Sequence, residues 1–132
     1  MKPEQPILNL TVLPGDFAIC RLPADTLVPE WAMQGDFYAV TRTQDELSIV
    51  CAQEYVPGEV KHEAGWACLQ VQGPLDFSLT GILASLASPL AVAGISLFAI
   101  STFDTDYLLV RREALAQAID ALLEAGHCLS VA

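Results

Sequence analysis

The sequence predicts an α+β fold of two lobes, and three observations support this. Short β-type runs carry period-2 alternation, two later segments carry helical period, and Pro-Gly punctuation divides the 132 residues near position 60. In the first lobe, residues 17–22, 37–42 and 47–52 read as strands, and Thr43-Gln44-Asp45-Glu46 reads as a hairpin loop. Residues 29–34 suit one helical turn with Pro29 near its start, residues 7–13 suit a further strand, and residues 56–65 read as a linker. The expected organisation is a reduced N-terminal lobe over residues 1–60 and a complete C-terminal lobe over residues 61–132.

The second half is more regular. Residues 66–71 read as a strand and Gly73-Pro74 as a turn. Asp76 is a plausible N-cap for a helix with Leu79, Ile82, Leu83 and Leu86 at i, i+3, i+4 and i+7, and Pro89 falls just past its end. Residues 94–101 and 106–110 form a hairpin about Phe103-Asp104-Thr105. Residues 113–125 place Leu115, Ile119, Leu122 and Leu123 on one helical face, Gly126 suits the position after the helix, and residues 128–131 close the sheet. Strand, helix, strand, strand, helix, strand is the ferredoxin-like order: antiparallel sheets with helices on one face.

Composition removes several function classes. Apolar residues make up 53% and charged residues 17%, which excludes a disordered chain. Six bases against sixteen acids give a net charge of −10, which repels phosphate backbones, so no nucleic-acid partner is expected. Cys20, Cys51, Cys68 and Cys128 have no Cys-x-x-Cys spacing, and His62 and His127 are far apart. No metal site and no cofactor are therefore expected, and the first three cysteines read as buried thiols of a reducing compartment. The uncharged run 78–103 is long enough to span a bilayer, but Gly81, Pro89, Gly94 and five serines interrupt it, while Asp76 and Asp104 flank it. The expectation is a cytoplasmic protein without a membrane partner. No phosphate loop, nucleophile elbow or His-Glu-x-x-His pattern is present, so the chain is not expected to be an enzyme.

In the predicted hairpin, Ile95, Leu97 and Ala99 point one way and Phe98 and Ile100 the other, while Leu108 and Val110 oppose Tyr107 and Leu109. Both sheet faces are mainly apolar. The first lobe, another protomer or both must cover the second face, and a homodimer is the preferred expectation.

Residues 94–110 (GISLFAISTFDTDYLLV) resemble the central hairpin of an ACT domain, and residues 73–81 (GPLDFSLTG) resemble the strand-to-helix turn of the same domains. Residues 27–32 (LVPEWA) and 45–51 (DELSIVC) are similar to the first lobe of small two-lobed ACT proteins related to the CASTOR arginine sensors. The likeness covers residues 11–126, although the first lobe has no long helix and the sensors carry more lobes per chain. The resemblance implies a regulatory sensor that binds an amino acid or related effector at a lobe or subunit interface, with a possible regulated protein partner.

It also implies the site. Gly73, Pro74, Leu75, Asp76 and Phe77 would form one wall, where a helix N-terminus can hold an α-carboxylate without a basic side chain. Ser96, Leu97, Thr102 and Phe103 would line the pocket, and Asp106 would receive a cationic group through charge-assisted hydrogen bonds. Two other readings compete. One is a structural protein-interaction module without a ligand; the other is a small metal-dependent enzyme using Asp104 and Asp106.

Overall fold

The computed structural model describes residues 6–75 and 81–132. Among these the order is β1 (Asn9–Val12), β2 (Phe17–Leu22), β3 (Ala39–Arg42), β4 (Leu47–Ala52), β5 (His62–Val71), α1 (Ile82–Val92), β6 (Leu97–Ser101), β7 (Asp106–Arg111), α2 (Leu115–Glu124) and β8 (Cys128–Val131). Residues 15–66 form one compact unit, and residues 67–132 form the other together with the chain up to Pro14.

In the first unit β3, β4, β2 and the start of β5 pair in that order, all antiparallel. Period-2 alternation turns Ala18, Cys20, Leu47, Ile49 and Cys51 to one side, where Ala32 from the 3-10 turn Glu30–Met33 joins them in a small core. The β3–β4 loop is closed by Thr43, whose amide donates to the Glu46 carbonyl at 2.9 Å and whose Oγ1 accepts from the amides of Asp45 and Glu46.

The expected linker at 56–65 is shorter than predicted, because β5 begins at His62. His62 pairs with Cys20 and Glu63 with Ile19, and the register shifts before Trp66 meets Phe17. Gly65 absorbs that shift at φ +83° and donates its amide to Gln53 Oε1 at 2.8 Å. Glu63 and Ala64 are exposed, so this part of the strand lacks the apolar alternation that marks one in sequence.

In the second unit the order is β8-β1-β5-β7-β6. The strand expected to extend the first lobe pairs here: Leu10 of β1 faces Val71 of β5 antiparallel and Leu129 of β8 parallel. The β1–β8 pair corrects the expectation of wholly antiparallel sheets. Inserting a strand antiparallel to β5 between β5 and β8 leaves β8 parallel to its new neighbour.

Both helices pack on one face of this sheet, over a core of Leu10, Leu69, Val71, Leu86, Leu90, Leu108, Val110 and Leu122. Each ends in a Schellman motif. Gly94 (φ +75°) and Gly126 (φ +98°) follow the helix ends, with Ile95 N–H bonding Leu90 O and His127 N–H bonding Leu122 O. On the opposite face Leu109 is fully buried, while Tyr107, Phe98 and Ile100 are half-buried.

Helix α1 departs from expectation in two ways. It runs through Pro89 rather than ending before it, and it opens after Gly81; Asp76 and Leu79, expected in its first turn, lie outside the described residues. Leu83, expected on the buried stripe, is 39% exposed, whereas Ser85 is buried. No helix among the described residues is long and apolar enough to cross a membrane.

Candidate functional site

The turn after β5 and the β6–β7 hairpin tip are joined by direct contacts. Leu75 N–H donates to Asp104 O at 2.6 Å, and the buried Thr105 hydroxyl donates to Val71 O at 2.6 Å. A side chain on Gly73 would sit 3.0 Å from both Asp104 O and Thr105 Cβ, so only glycine lets the turn approach this closely. The tip closes on itself: Thr102 N–H reaches Thr105 O at 2.8 Å, and Thr102 Oγ1 accepts from Thr105 N–H at 3.2 Å. Leu75 packs on the helix-side core, Pro74 is exposed, and Phe103 is 78% exposed at the tip.

Asp106 opens β7 opposite Ser101, which closes β6. The Ser101 hydroxyl donates to Asp106 Oδ1 at 2.6 Å. By strand alternation, Asp106 shares the helix side of β7 with Leu108 and Val110. A carboxylate offers about four acceptor positions, so one hydroxyl leaves it able to take an ammonium or guanidinium group as well. Nearby, burial first, and then the Cys68 and Asp104 charges, push the Tyr107 phenol above its ordinary range.

The predicted residues divide into two groups. Gly73, Leu75, Thr102 and Asp106 gather about the hairpin tip, with Phe103 exposed above them. Ser96 and Leu97 lie at the other end of the hairpin, because Leu97 pairs with Val110 while Ser101 pairs with Asp106. Ser101 lies five positions along extended chain from Ser96, a span of about 17 Å. Ser96 is exposed and precedes β6, so solvent satisfies its hydroxyl; Leu97 packs on the core. Asp76 and Phe77 lie outside the described residues, as do the amides after Leu75 expected to meet a carboxylate. Two hydroxyls were missed, those of Ser101 and Thr105. Counting outward from the tip would have found Ser101, since it mirrors Asp106 across the turn.

Among the described residues no three His, Cys, Asp or Glu side chains are grouped to hold a metal ion. Cys20, Cys51 and Cys68 are buried free thiols and Cys128 is exposed. Cys20 and Cys51 share a hydrogen bond, which, with burial and the Cys51 charge, raises the Cys20 pKa; the same bond lowers Cys51 against its burial. Burial pushes the Cys68 thiol up to about 12. Reactive cysteines are thiolates, and Cys68 is held far from that state.

These features define an α+β unit of ferredoxin-like order with one strand inserted beside its edge. A family model described as ACT domain matches residues 61–124, and one described as an N-terminal domain matches residues 15–59. Residues 61–124 are thereby matched as an ACT domain. The curated relative "Cytosolic arginine sensor for mTORC1 subunit 1" of Homo sapiens is 33% identical over 94 residues, taking in 65% of this chain and 29% of that protein. The match thus spans less than a third of that relative's length. Among solved structures, protein Atu0741 from Agrobacterium tumefaciens is 46% identical with a TM-score of 0.91, covering 96% of this chain and 95% of that one. The regulatory subunit of aspartate kinase from Thermus thermophilus shares the fold at 14% identity and a TM-score of 0.58, covering 89% of this chain and 96% of that chain.

Proposed function

We propose that this chain is a non-catalytic, cytoplasmic regulatory protein of ACT type that binds an amino acid or related small effector at a lobe or subunit interface. The observation that carries the reading is the joining of the Gly73–Leu75 turn to the hairpin tip, beside a carboxylate on the helix side. In this reading the effector's carboxylate meets amides following Leu75, and its amino group or cationic side chain meets Asp106. Ser101 holds Asp106, Thr102 shapes the tip, and Leu75 and Phe103 give apolar cover. A homodimer would supply further ACT-type lobes, and the differential affinity of the effector for one lobe arrangement would be the signal to a protein partner.

Native mass spectrometry of freshly purified protein tests this by reporting subunit number and retained effector together. The expected result is a dimer carrying a small molecule of amino-acid mass, lost on gentle activation. A monomer that retains nothing and gains no thermal stability from any amino acid would contradict the reading.

A second reading, a module that binds a protein and no small molecule, is favoured by one feature. The C-terminal ends of α1 and α2 flank an open cleft of about 390 Å³ lined by Pro89, Val92, Ala93, Ala121, Glu124 and Ala125, with Val92 90% exposed. A thermal-shift screen separates the two, because only a sensor is stabilised by an amino acid.

A further inference from the structure

Helix α1 contains a proline and yet continues for three residues beyond it. The amide of residue 89 would ordinarily donate to the carbonyl of Ser85, and Pro89 has no N–H to give. His127 supplies the missing donor: its Nε2 lies 2.9 Å from Ser85 O. The other ring nitrogen, Nδ1, lies 3.1 Å from the amide nitrogen of Leu8, which donates to it. These partners fix the protonation state. Nε2 faces a carbonyl and carries the proton; Nδ1 faces an N–H and is bare. The ring is therefore neutral and, at 4% exposure, sealed from water.

The ring sits where several elements meet. The backbone N–H of His127 ends α2 on Leu122 O, and the next residue, Cys128, returns a bond to Leu8 O at 2.9 Å just before β1 and β8 begin to pair. Neither α1, β1 nor β8 contains a charged side chain, and the one titratable group among them is the exposed Cys128 thiol. Helix α2 contains Asp120 and Glu124, both exposed. A proton added at Nδ1 would face the Leu8 N–H donor to donor, and these elements bring no buried carboxylate to balance the charge.

We propose that His127 is a proton-sensitive latch, closed only while its ring is neutral, that holds α1 to the paired β1 and β8 strands in place of the amide that Pro89 lacks. Acidification opens it at two bonds together, Leu8 N–H to Nδ1 and Nε2–H to Ser85 O, and loosens the helix that follows the Gly73 turn. The site is independent of the effector reading, since none of its groups belongs to the hairpin tip.

Ring nitrogen-15 spectra and amide exchange of the intact chain test this. At about pH 7.5 the Nε2–H form of His127 is expected, and on moving to about pH 5.5 exchange at Leu8 and in the last turns of α1, corrected for intrinsic rates, should rise about tenfold or more. His127→Gln removes that response while His62→Gln keeps it. Pro89→Ala, which restores the amide to Ser85, keeps the response at Leu8 and reduces it in α1. The opposite tautomer, or protection at Leu8 that does not change with pH in the native chain, overturns the proposal even if His127→Gln fails to fold.

Discussion

The two compact units solve the problem of burying a sheet differently. The unit of residues 15–66 has no α-helix among its described residues; the 3-10 turn Glu30–Met33 adds Ala32 to a core of small side chains, Ala18, Cys20 and Cys51 beside Leu47 and Ile49. The other lays two α-helices over its sheet and fills the space with leucines, among them Leu10, Leu69, Leu86, Leu90, Leu108 and Leu122. Area-proportional burial makes the second core the main source of stability. It is also the unit that holds the hairpin tip, so the proposed binding residues stand on the better-anchored scaffold.

The largest effect should come from emptying that core. Leu86→Ala removes a fully buried side chain from beneath α1 and should cost about 2–5 kcal/mol in denaturant unfolding. Cys51→Ala in the smaller core removes one sulfur and should cost distinctly less. Equal losses would show that the two cores are not unequal.

A smaller effect is expected from crowding the turn. In Gly73→Ala the new methyl would meet Asp104 O and Thr105 Cβ at 3.0 Å, and overpacking of this kind costs about 1–3 kcal/mol. Gly58 of the other unit has open space around it and no left-handed φ, so Gly58→Ala should leave unfolding within about 0.5 kcal/mol of the native chain. A neutral Gly73→Ala would remove the evidence that turn and tip are pressed together.

Alkali gives the subtlest contrast. The Cys68 thiol rises from its ordinary 9.0 to about 12 on folding through burial. The folded state therefore keeps a proton that the unfolded chain releases. Its contribution is fully present below about pH 9 and is lost as pH climbs toward 12, at about 1.4 kcal/mol per pH unit. Urea titrations at pH 8 and about pH 10 should show that increment in the native chain and lose it in Cys68→Ala. An unchanged increment would assign the alkaline loss to other groups, such as Tyr107.

How much of this was legible in the sequence follows from the range of each signal. Strands β2 and β4 and the Thr43 loop carry their information locally, in alternation and turn chemistry, and they appear where expected. The place of β1 does not, because a four-residue alternating segment says nothing about whether Val71 or Leu129 will be its neighbour. The start of β5 escaped because Glu63 and Ala64 form backbone pairs while their side chains remain in water. Pro89 reads as a helix stop until a histidine 38 positions later supplies its missing donor. At the candidate site, Asp106 and Gly73 were visible as turn residues. The partner of Asp106 was not, and Ser96, expected there from the family resemblance, is carried by hairpin register to the far end.

The central claim is that Asp106 receives the cationic group of a bound amino acid. Calorimetric titration of the native chain, Asp106→Ala and Ser96→Ala against the standard amino acids tests it most directly. Losing a charge-assisted contact should weaken binding about tenfold or more in Asp106→Ala, with Ser96→Ala close to native. An amino acid that binds tightly and equally well to Asp106→Ala would contradict the account.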